Sequence, residues 1–266
     1  MSRTHIMGIV NATPDSFSDG GMFADAMAAV DHALMLVDEG ADILDIGGES
    51  TRPGATAISA EEELRRVVPI IEALAQQTPA KISIDTRKPE VARACIAAGA
   101  SIWNDVSALS FSPDSVETAA QLGCDVVLMH AQGDPKTMQD DPQYDDVIEE
   151  VYNFLDGRKN AAIAAGVCAA RIFVDPGIGF GKTLQHNIAL LASLGRFKQL
   201  GPVLLGASRK RFIAALDRDG PAHARLGGSI AAALIAAGQN VDIVRVHDVA
   251  ETRQALALHR AIGKIG

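Results

Sequence analysis

The sequence predicts an α/β fold, a single (β/α)8 barrel of the TIM type that spans residues 1–266. Two observations predict it. Eight short apolar runs alternate with Ala-rich segments of helical periodicity along the 266 residues, and one such barrel takes about 250 residues. Each run also leads into a polar residue, as expected where the carboxyl ends of parallel strands form an active-site face.

The apolar runs are the predicted strands, because runs of this length suit parallel strands that are buried on both faces. They cover residues 6–10, 43–44, 82–84, 102–103, 126–129, 172–174, 203–205 and 243–246. The predicted helices cover residues 25–39, 60–75, 89–98, 113–122, 147–165, 186–194, 227–237 and 250–262. Ser59 and Glu62 match a capping box, which marks the start of the second helix.

The first loop argues against the competing fold, a doubly wound open sheet. That fold carries a glycine-rich phosphate turn after its first strand, whereas this chain continues with Asn11-Ala12-Thr13-Pro14. The irregular stretches 13–23, 48–58 and 132–145 all follow predicted strands. Loops at that end of a barrel are where binding and catalysis belong.

The overall charge narrows the classes of partner. A formal net charge of -9 argues against binding to nucleic acid or to an anionic membrane surface, so an anionic substrate has to meet a local basic cluster.

The three cysteines match neither a metal-site nor a disulfide pattern, which indicates a reducing compartment. No apolar run approaches the length of a membrane span, and no signal-peptide pattern is present. We therefore expect a cytoplasmic protein.

An acidic group of residues is expected at the mouth of the barrel. Each member taken singly is as well explained by capping of a neighbouring strand, but four at equivalent positions favour a binding site. A carboxylate can accept the amino and ring N–H groups of a fused heterocycle with a 2-amino-4-oxo edge. The four residues are Asp45, Asp85, Asn104 and Asp175.

A basic group follows the seventh and eighth strands. Arg245 and His247 lie two residues apart and so face the same side of a strand. With Lys210 they match the place where barrels of this kind bind phosphate. For Arg209 and Arg211 we expect ion pairs on the barrel rim instead.

Three further features concern the loops. Asn11 offers an oxygen ligand of the kind that suits Mg²⁺ held mostly by water and substrate phosphate. Phe17 lies in a loop that ends in paired glycines, as a mobile lid does. The segment 175–182 lacks the spacing of a nucleotide-binding P-loop, so Phe180 is interpreted as a wall for a ring substrate. His130 ends the fifth strand without a partner ligand nearby in sequence, which argues against zinc.

Together these segments resemble the dihydropteroate synthases, enzymes of folate synthesis that sulfonamides inhibit. The resemblance covers essentially the whole chain, and its most specific parts are residues 8–21, 45–54, 175–180, 208–210 and 245–247. It implies a condensation in which the amine of para-aminobenzoate displaces pyrophosphate from 6-hydroxymethyl-7,8-dihydropterin pyrophosphate. It also implies Mg²⁺ as cofactor, a homodimer, and sensitivity to sulfonamides.

Residue roles carried over by the resemblance fall into four sets. The pterin would be bound by Asp85, Asn104, Met129, Asp175 and Lys210. The pyrophosphate would be bound by Asn11 with its Mg²⁺, Asp45, Arg52, Arg245 and His247. The para-aminobenzoate pocket would be formed by Phe17, Thr51, Pro53, Phe180 and Ser208. The catalytic set would be Asp85, Lys210, Arg245 and His247.

Two other functions fit parts of the pattern. A pterin-dependent methyltransferase that serves a corrinoid partner has a similar barrel and similar pterin-binding carboxylates, but it has no need of a pyrophosphate site. A pterin-binding protein without catalysis would keep Asp85, Asn104 and Asp175 but would not need Lys210 or mobile loops. The basic residues after the last two strands favour the synthase.

Overall fold

The eight strands form one parallel sheet that closes into a barrel, which confirms the predicted fold. The computed structural model describes residues 3–12, 22–50, 56–133 and 137–263, with side chains of the first helix described from residue 25. The strands are β1 His5–Asn11, β2 Ile43–Gly47, β3 Lys81–Asp85, β4 Ile102–Asp105, β5 Asp125–Met129, β6 Ile172–Asp175, β7 Leu204–Leu205 and β8 Ile243–Val246. They are hydrogen-bonded in the order β6-β5-β4-β3-β2-β1-β8-β7.

The ring closes between β6 and β7 through a short contact. Val174 forms an isolated parallel bridge with Val203, and its N–H donates to the carbonyl of Pro202 at 2.9 Å. Val203, which the sequence places inside the seventh strand, therefore precedes β7 and serves as the closing residue. The strand itself is only two residues long.

Helices cover the outside of the barrel. Within the described ranges they are α1 Met22–Glu39, α2 Ala60–Gln77, α3 Pro89–Ala97, α4 Ser115–Leu122, α5 Val147–Ala164, α6 Leu184–Ala192, α7 Leu194–Phe197, α8 Arg211–Leu216, α9 Leu226–Gly238 and α10 Val249–Ile262. Short 3-10 helices span Ala169–Arg171 and Ala222–Arg225. The eight predicted helices are present with shifted ends, whereas α7 and α8 were not predicted because four and six residues are too short to display a helical period.

The second helix forms half of the predicted capping box. The Ser59 hydroxyl accepts the N–H of Glu62 at 3.1 Å, as the pattern requires. The carboxylate of Glu62 binds Arg66, at 2.8 Å, and Arg65 instead of turning back to the cap. The ion pairs one turn along the helix thus replace the second capping bond.

The hydrophobic core has two parts. The larger part lies between the outer face of the sheet and the helices, and it includes the fully buried Trp103, Phe197 and Leu44. The smaller part fills the barrel interior and is called the apolar plug here. Its members come from six different strands and are Met7, Ile43, Ile102, Val127, Leu204 and Ile243.

The apolar plug determines how far along the barrel axis, toward the carboxyl ends of the strands, the first polar side chains lie. Side chains two residues apart on a strand face the same side, so the residues two positions after plug members form the next layer toward the carboxyl ends. Those residues include Asp45, Asn104, Met129 and Arg245. The floor of the candidate site is therefore apolar, and its first layer is polar.

The length and apolar character of the helices bear on whether any of them could cross a membrane. None of those in the described ranges combines enough length with enough apolar character to cross a bilayer.

Candidate functional site

Five charged or amide side chains from five strands meet at the carboxyl end of the barrel. We call this set the polar layer, and it consists of Asp45, Asp85, Asn104, Asp175 and Arg245. Asp45 is completely buried, and Asp85, Asn104 and Asp175 are at most 9% exposed. The sequence expected all of them here, although Asp45 lies inside β2, which continues to Gly47, and does not end that strand.

Arg245 joins three of these strands. Its Nε donates to Oδ2 of Asp45 at 2.6 Å and its Nη2 donates to Oδ2 of Asp85 at 2.8 Å. Asn104 Nδ2 donates to the same Asp45 oxygen at 3.1 Å. Burial opposes charge on the guanidinium, but Asp45 and Asp85 outweigh that effect and hold the pKa of Arg245 above its ordinary value. Arg245 is therefore a fixed cation.

The carboxylates of the polar layer keep unused acceptor capacity. Oδ1 of Asp45 and Oδ1 of Asp85 are buried and have no hydrogen-bond partner among the described residues. Buried polar atoms of this kind cost free energy unless a ligand or water satisfies them. Both oxygens are therefore candidate ligand contacts.

Burial changes the acidity of two of the carboxyl groups. It raises the pKa of Asp85 to about 7, an effect that Arg245 opposes and Asp45 reinforces. It also raises the pKa of Asp175, while Lys210 acts in the opposite direction. Asp175 remains oriented, because its Oδ1 accepts the N–H of Gly177 at 2.7 Å. A bound cation or N–H donor would favour the ionised form of either group.

Lys210 lies across the loop that follows β6. Its Nζ donates to the carbonyl of Ile178 and lies 4.5 Å from the centre of the Phe180 ring, in a cation–π contact. Burial lowers the pKa of Lys210 to about 8, and Asp175 counteracts the change. Lys210, which was predicted to bind the pterin, is therefore in direct contact with Phe180, which was predicted to line the pocket of the ring substrate.

The turn between β7 and α8 presents Lys210 to the site. Arg209 has a left-handed backbone with φ of 57°, and its Nε donates to Asp248 Oδ2 at 3.0 Å. The N–H of Arg209 donates to the Ser229 hydroxyl at 2.8 Å. The predicted rim ion pair of Arg209 is confirmed. Arg211 is exposed, and its predicted ion pair stays a prediction.

Ser208 and His247 are also neighbours. The Ser208 hydroxyl lies 3.0 Å from His247 Nδ1 and accepts the His247 N–H at 3.2 Å. This contact joins the turn after β7 to the end of β8, so the predicted para-aminobenzoate and pyrophosphate pockets adjoin at this point.

Of the other predicted site residues, Asn11 ends β1 in register with Gly47, and Met129 ends β5 with 4% exposure. Four predicted site residues, Phe17, Thr51, Arg52 and Pro53, lie outside the described residues.

Sequence reasoning missed two buried ionic groups beside the site. Lys88 Nζ binds Glu49 Oε2 at 2.7 Å and also binds the fully buried Glu63. Lys182 lies 3.0 Å from His130 Nδ1, and burial lowers its pKa to about 7 although Asp175 opposes the change. For Lys182 the available signal was a charged residue at the end of a glycine-rich segment. Lys88 and Glu63 lie in segments that are already rich in charged residues, so the sequence offered no signal for their contact.

The described residues contain no cluster of three or more His, Cys, Asp or Glu side chains that could enclose a metal ion. Asn11, partly buried at the mouth, is a single oxygen ligand. One amide oxygen of this kind fits a hard cation that is held mainly by water and phosphate oxygens.

The chain is similar to known proteins over most of its length. The model of a family described as "Pterin binding enzyme" matches residues 7–247. A dihydropteroate synthase of Escherichia coli K12 is 50% identical over 262 residues, which cover 98% of this chain and 92% of that protein.

Solved structures give the same result. A Xanthomonas albilineans dihydropteroate synthase with 4-aminobenzoic acid has a TM-score of 0.93 at 53% identity, covering 98% of this chain and 93% of the other. A Yersinia pestis dihydropteroate synthase with a sulfonamide drug has a TM-score of 0.93 at 45% identity, covering 98% and 95%. The matched segments contain the polar layer and the turn that carries Lys210. The chain therefore belongs to the dihydropteroate synthases, within the family of pterin-binding enzymes.

Proposed function

We propose that this chain joins para-aminobenzoate to 6-hydroxymethyl-7,8-dihydropterin pyrophosphate and releases 7,8-dihydropteroate and pyrophosphate. The observation that carries the proposal is the polar layer, in which a doubly bound arginine lies beside buried carboxylates with free oxygens. Carboxylates of this kind suit the N–H edge of a pterin, and a fixed cation suits a pyrophosphate. The likeness to dihydropteroate synthases at about 50% identity supports the same reaction.

The pterin contacts are assigned to Asp85, Asn104, Asp175 and Lys210, with Met129 as an apolar wall. Asp175 is held by the Gly177 N–H through Oδ1, which leaves Oδ2 to accept the pterin amino and ring N–H groups. Lys210 lies between Asp175 and Phe180. Because the site floor is the apolar plug, these bonds form away from bulk water and are correspondingly strong.

The pyrophosphate contacts are assigned to Arg245 and His247, with Arg52 and Asn11. Within the described residues the guanidinium uses Nε and Nη2 for its two carboxylates, so the N–H groups of Nη1 can donate to phosphate oxygens. As the C–O bond to the methylene carbon breaks, its electron pair leaves with the pyrophosphate. A fixed cation stabilises the charge that develops there.

Asp85 is assigned to the methylene carbon that becomes electron-poor. Its ionised form stabilises that carbon, and the developing positive charge in turn favours ionisation of a carboxyl group whose pKa is near 7. The amine of para-aminobenzoate then attacks with its nitrogen lone pair, and the new C–N bond's nitrogen loses its proton to water or to the released pyrophosphate. An aromatic amine is already neutral at pH 7, so the step needs no strong general base.

The amine substrate is assigned to the space beside Phe180 and Ser208, together with Phe17, Thr51 and Pro53. Phe180 offers an aromatic face, and Lys210 Nζ above it attracts a benzoate carboxylate. The Xanthomonas albilineans relative was solved with 4-aminobenzoic acid, which supports para-aminobenzoate as the amine substrate.

Mg²⁺ is proposed at Asn11. When bound, it would neutralise charge on the pyrophosphate and so make it a better leaving group. Asn11 supplies one hard oxygen, and the substrate and water would supply the others.

A homodimer in the cytoplasm is proposed as the working form. A groove of about 580 Å³ lies between α6, α8 and α9, and its lining includes Leu216, Ile235 and Ile188, which are 59%, 47% and 37% exposed. Exposed apolar surface of this kind marks interfaces. A second copy of the chain is the proposed occupant.

The test is to mix the purified protein with the dihydropterin pyrophosphate, Mg²⁺ and para-aminobenzoate, and to measure pyrophosphate. Release that depends on the amine and disappears in Arg245→Ala supports the synthase. Tight pterin binding without release contradicts it and favours a pterin-binding protein or a methyltransferase with a corrinoid partner.

A further inference from the structure

Lys182 is a buried lysine to which the proposed reaction assigns no role. It is 3% exposed, and its Nζ lies 2.9 Å from the carbonyl of Phe180, 3.0 Å from Nδ1 of His130 and 3.4 Å from the carbonyl of His130. The protonated form of the lysine has three N–H donors, which these three acceptors match. Lys182 therefore bonds the end of β5 to the loop after β6.

His130 is the partner on the β5 side, and its protonation follows from the contact. Burial, together with Lys182, lowers the pKa of His130 to about 3, so the ring is neutral. Since Nδ1 accepts from Lys182, the ring proton is assigned to Nε2. The ring packs edge-on against Phe154 at 4.9 Å. Its orientation is thereby fixed by packing on one side and by Lys182 on the other.

The loop after β6 lies directly on the segment that follows β5. Gly177 has φ of +68°, and a Cβ there would lie 1.8 Å from the carbonyl oxygen of His130. Gly181 has φ of +61°, and a Cβ there would lie 2.4 Å from the carbonyl oxygen of Gln132. Both the backbone conformation and the close approach require glycine. The loop thus has one shape when it is seated on this segment.

That shape determines where two substrate-facing groups lie. The loop carbonyl of Ile178 accepts Lys210 Nζ, and the loop places the Phe180 ring 4.5 Å below the same nitrogen. A Cβ at Gly179 would lie 3.1 Å from Lys210 Cδ, so the lysine chain rests on the loop. A shift of the loop would move both Lys210 and Phe180.

We propose that Lys182 and His130 are positioning residues that seat the 177–181 loop and thereby align Lys210 and Phe180 for the two substrates. The inference deepens the proposed function and rests on it for its kinetic readout. Neither residue touches substrate in this scheme. Their loss should therefore raise the KM for para-aminobenzoate more than it lowers kcat, because misplacement weakens binding while the polar layer stays intact.

The test compares four variants of the full chain with the unmodified protein. Lys182→Met and His130→Leu remove the two ends of the contact and are expected to raise the KM for para-aminobenzoate about 10-fold or more, with kcat changed less than about 3-fold. His130→Asn keeps an acceptor near the position of Nδ1 and is expected to restore KM to within about 3-fold of the unmodified protein. Lys159→Met is the matched control, since Lys159 also donates to a backbone carbonyl, that of Leu200, away from the site.

A second readout separates this proposal from the proposed function. The dissociation constant for 7,8-dihydropteroate, measured by calorimetry without turnover, should rise in Lys182→Met and His130→Leu but not in Lys159→Met. If the unmodified protein releases no pyrophosphate, the function fails while this binding readout still decides the role of the pair. If Lys182→Met does not fold, the comparison of His130→Leu with His130→Asn takes its place.

The proposal is overturned if Lys182→Met and His130→Leu lower the melting temperature but leave KM and the dissociation constant unchanged. It is also overturned if Lys159→Met alters KM as much as Lys182→Met, or if His130→Asn is as impaired as His130→Leu. A fall in kcat alone, at constant KM, contradicts it too, because that result assigns the pair to the chemical step.

Discussion

Arg245 and Asp45 are 200 residues apart in the chain, yet Nε of the arginine donates to Oδ2 of the aspartate at 2.6 Å. The contact joins two strands, β8 and β2, that are not consecutive in the chain. It exists because β8 and β2 both neighbour β1 in a closed barrel, so their inward side chains meet above the apolar plug. The cation proposed for the pyrophosphate is thus held by a carboxylate from the far end of the sequence.

Arg245→Lys tests whether the planar fork of this cation matters beyond its charge. Lysine keeps the charge but cannot bond Asp45 and Asp85 in the same geometry and still face a ligand. We expect amine-dependent pyrophosphate release to fall about 100-fold. Arg196→Lys is the control, because Arg196 makes a similar two-bond contact with Glu149 on the outer surface, at 3.1 and 3.2 Å. Equal losses in both variants would contradict the assignment.

The raised pKa of Asp85 predicts that the free energy of unfolding depends on pH. Its pKa is about 7 in the folded protein and about 3.9 in an unfolded chain. Between these values the folded state holds the proton more tightly, so this group's contribution to the free energy of unfolding falls as pH rises from about 4 and levels off above about 7. Urea unfolding across this range should give a shallower pH slope for Asp85→Asn than for the unmodified protein.

Asp105 serves as the comparison for that slope. Burial raises its pKa to about 6, against the lowering effect of its bonds from Ser107, so it contributes in the same direction and remains present in Asp85→Asn. Asp105 is also one of the charges that raise the pKa of Asp85, so the difference between the two curves reports Asp85 together with its coupling to Asp105. Identical slopes would mean that Asp85 is ionised in the folded protein throughout this range.

Asp175→Ala should abolish measurable pterin binding. The pterin N–H donors would lose a charged acceptor, at a cost of about 2–5 kcal/mol. Calorimetric titration with a pterin ligand measures the effect directly. Asp125→Ala is the control. Asp125 begins β5, at the end of the barrel opposite the site, where it binds Lys81, so this variant is expected to bind the pterin normally. Unchanged affinity in Asp175→Ala would remove this residue from the pterin site.

Sulfonamides should inhibit by competing with para-aminobenzoate. Both are benzene rings with an amine at one end and an acidic group at the other, and Phe180 with Lys210 suits both ends. We expect the apparent KM for para-aminobenzoate to rise linearly with drug concentration at constant kcat. The Yersinia pestis relative with a bound sulfonamide supports this expectation. Inhibition that excess para-aminobenzoate does not relieve would argue against a shared pocket.

Ile235→Glu should dissociate the proposed homodimer. Ile235 is 47% exposed and lines the groove between α6, α8 and α9, where a buried charge without a partner is costly. Light scattering should give about half the mass of the unmodified protein. Leu258→Glu changes an apolar residue of α10 that is 64% exposed and lies outside the groove, so its mass should stay the same. A monomeric unmodified protein would contradict the dimer.

The arrangement of strands and most of the candidate site were predictable because they depend on local patterns. Short apolar runs followed by polar residues identify buried parallel strands, and their carboxyl ends share one face. Asp85, Asn104, Asp175 and Arg245 could therefore be assigned to one face of the barrel from the sequence. The short helices Leu194–Phe197 and Arg211–Leu216 were not predictable, because so few residues display no period.

The sequence by itself determined the barrel, the face that carries the site and the residue types available there, since each follows from spacing along one strand or one loop. Tertiary structure alone decided which of these residues touch. The bond from Arg245 to Asp45 and the contact of Lys182 with His130 join strands and loops that are distant in sequence. Their distances depend on barrel closure and on how tightly the glycines let two loops approach, and no local pattern encodes either.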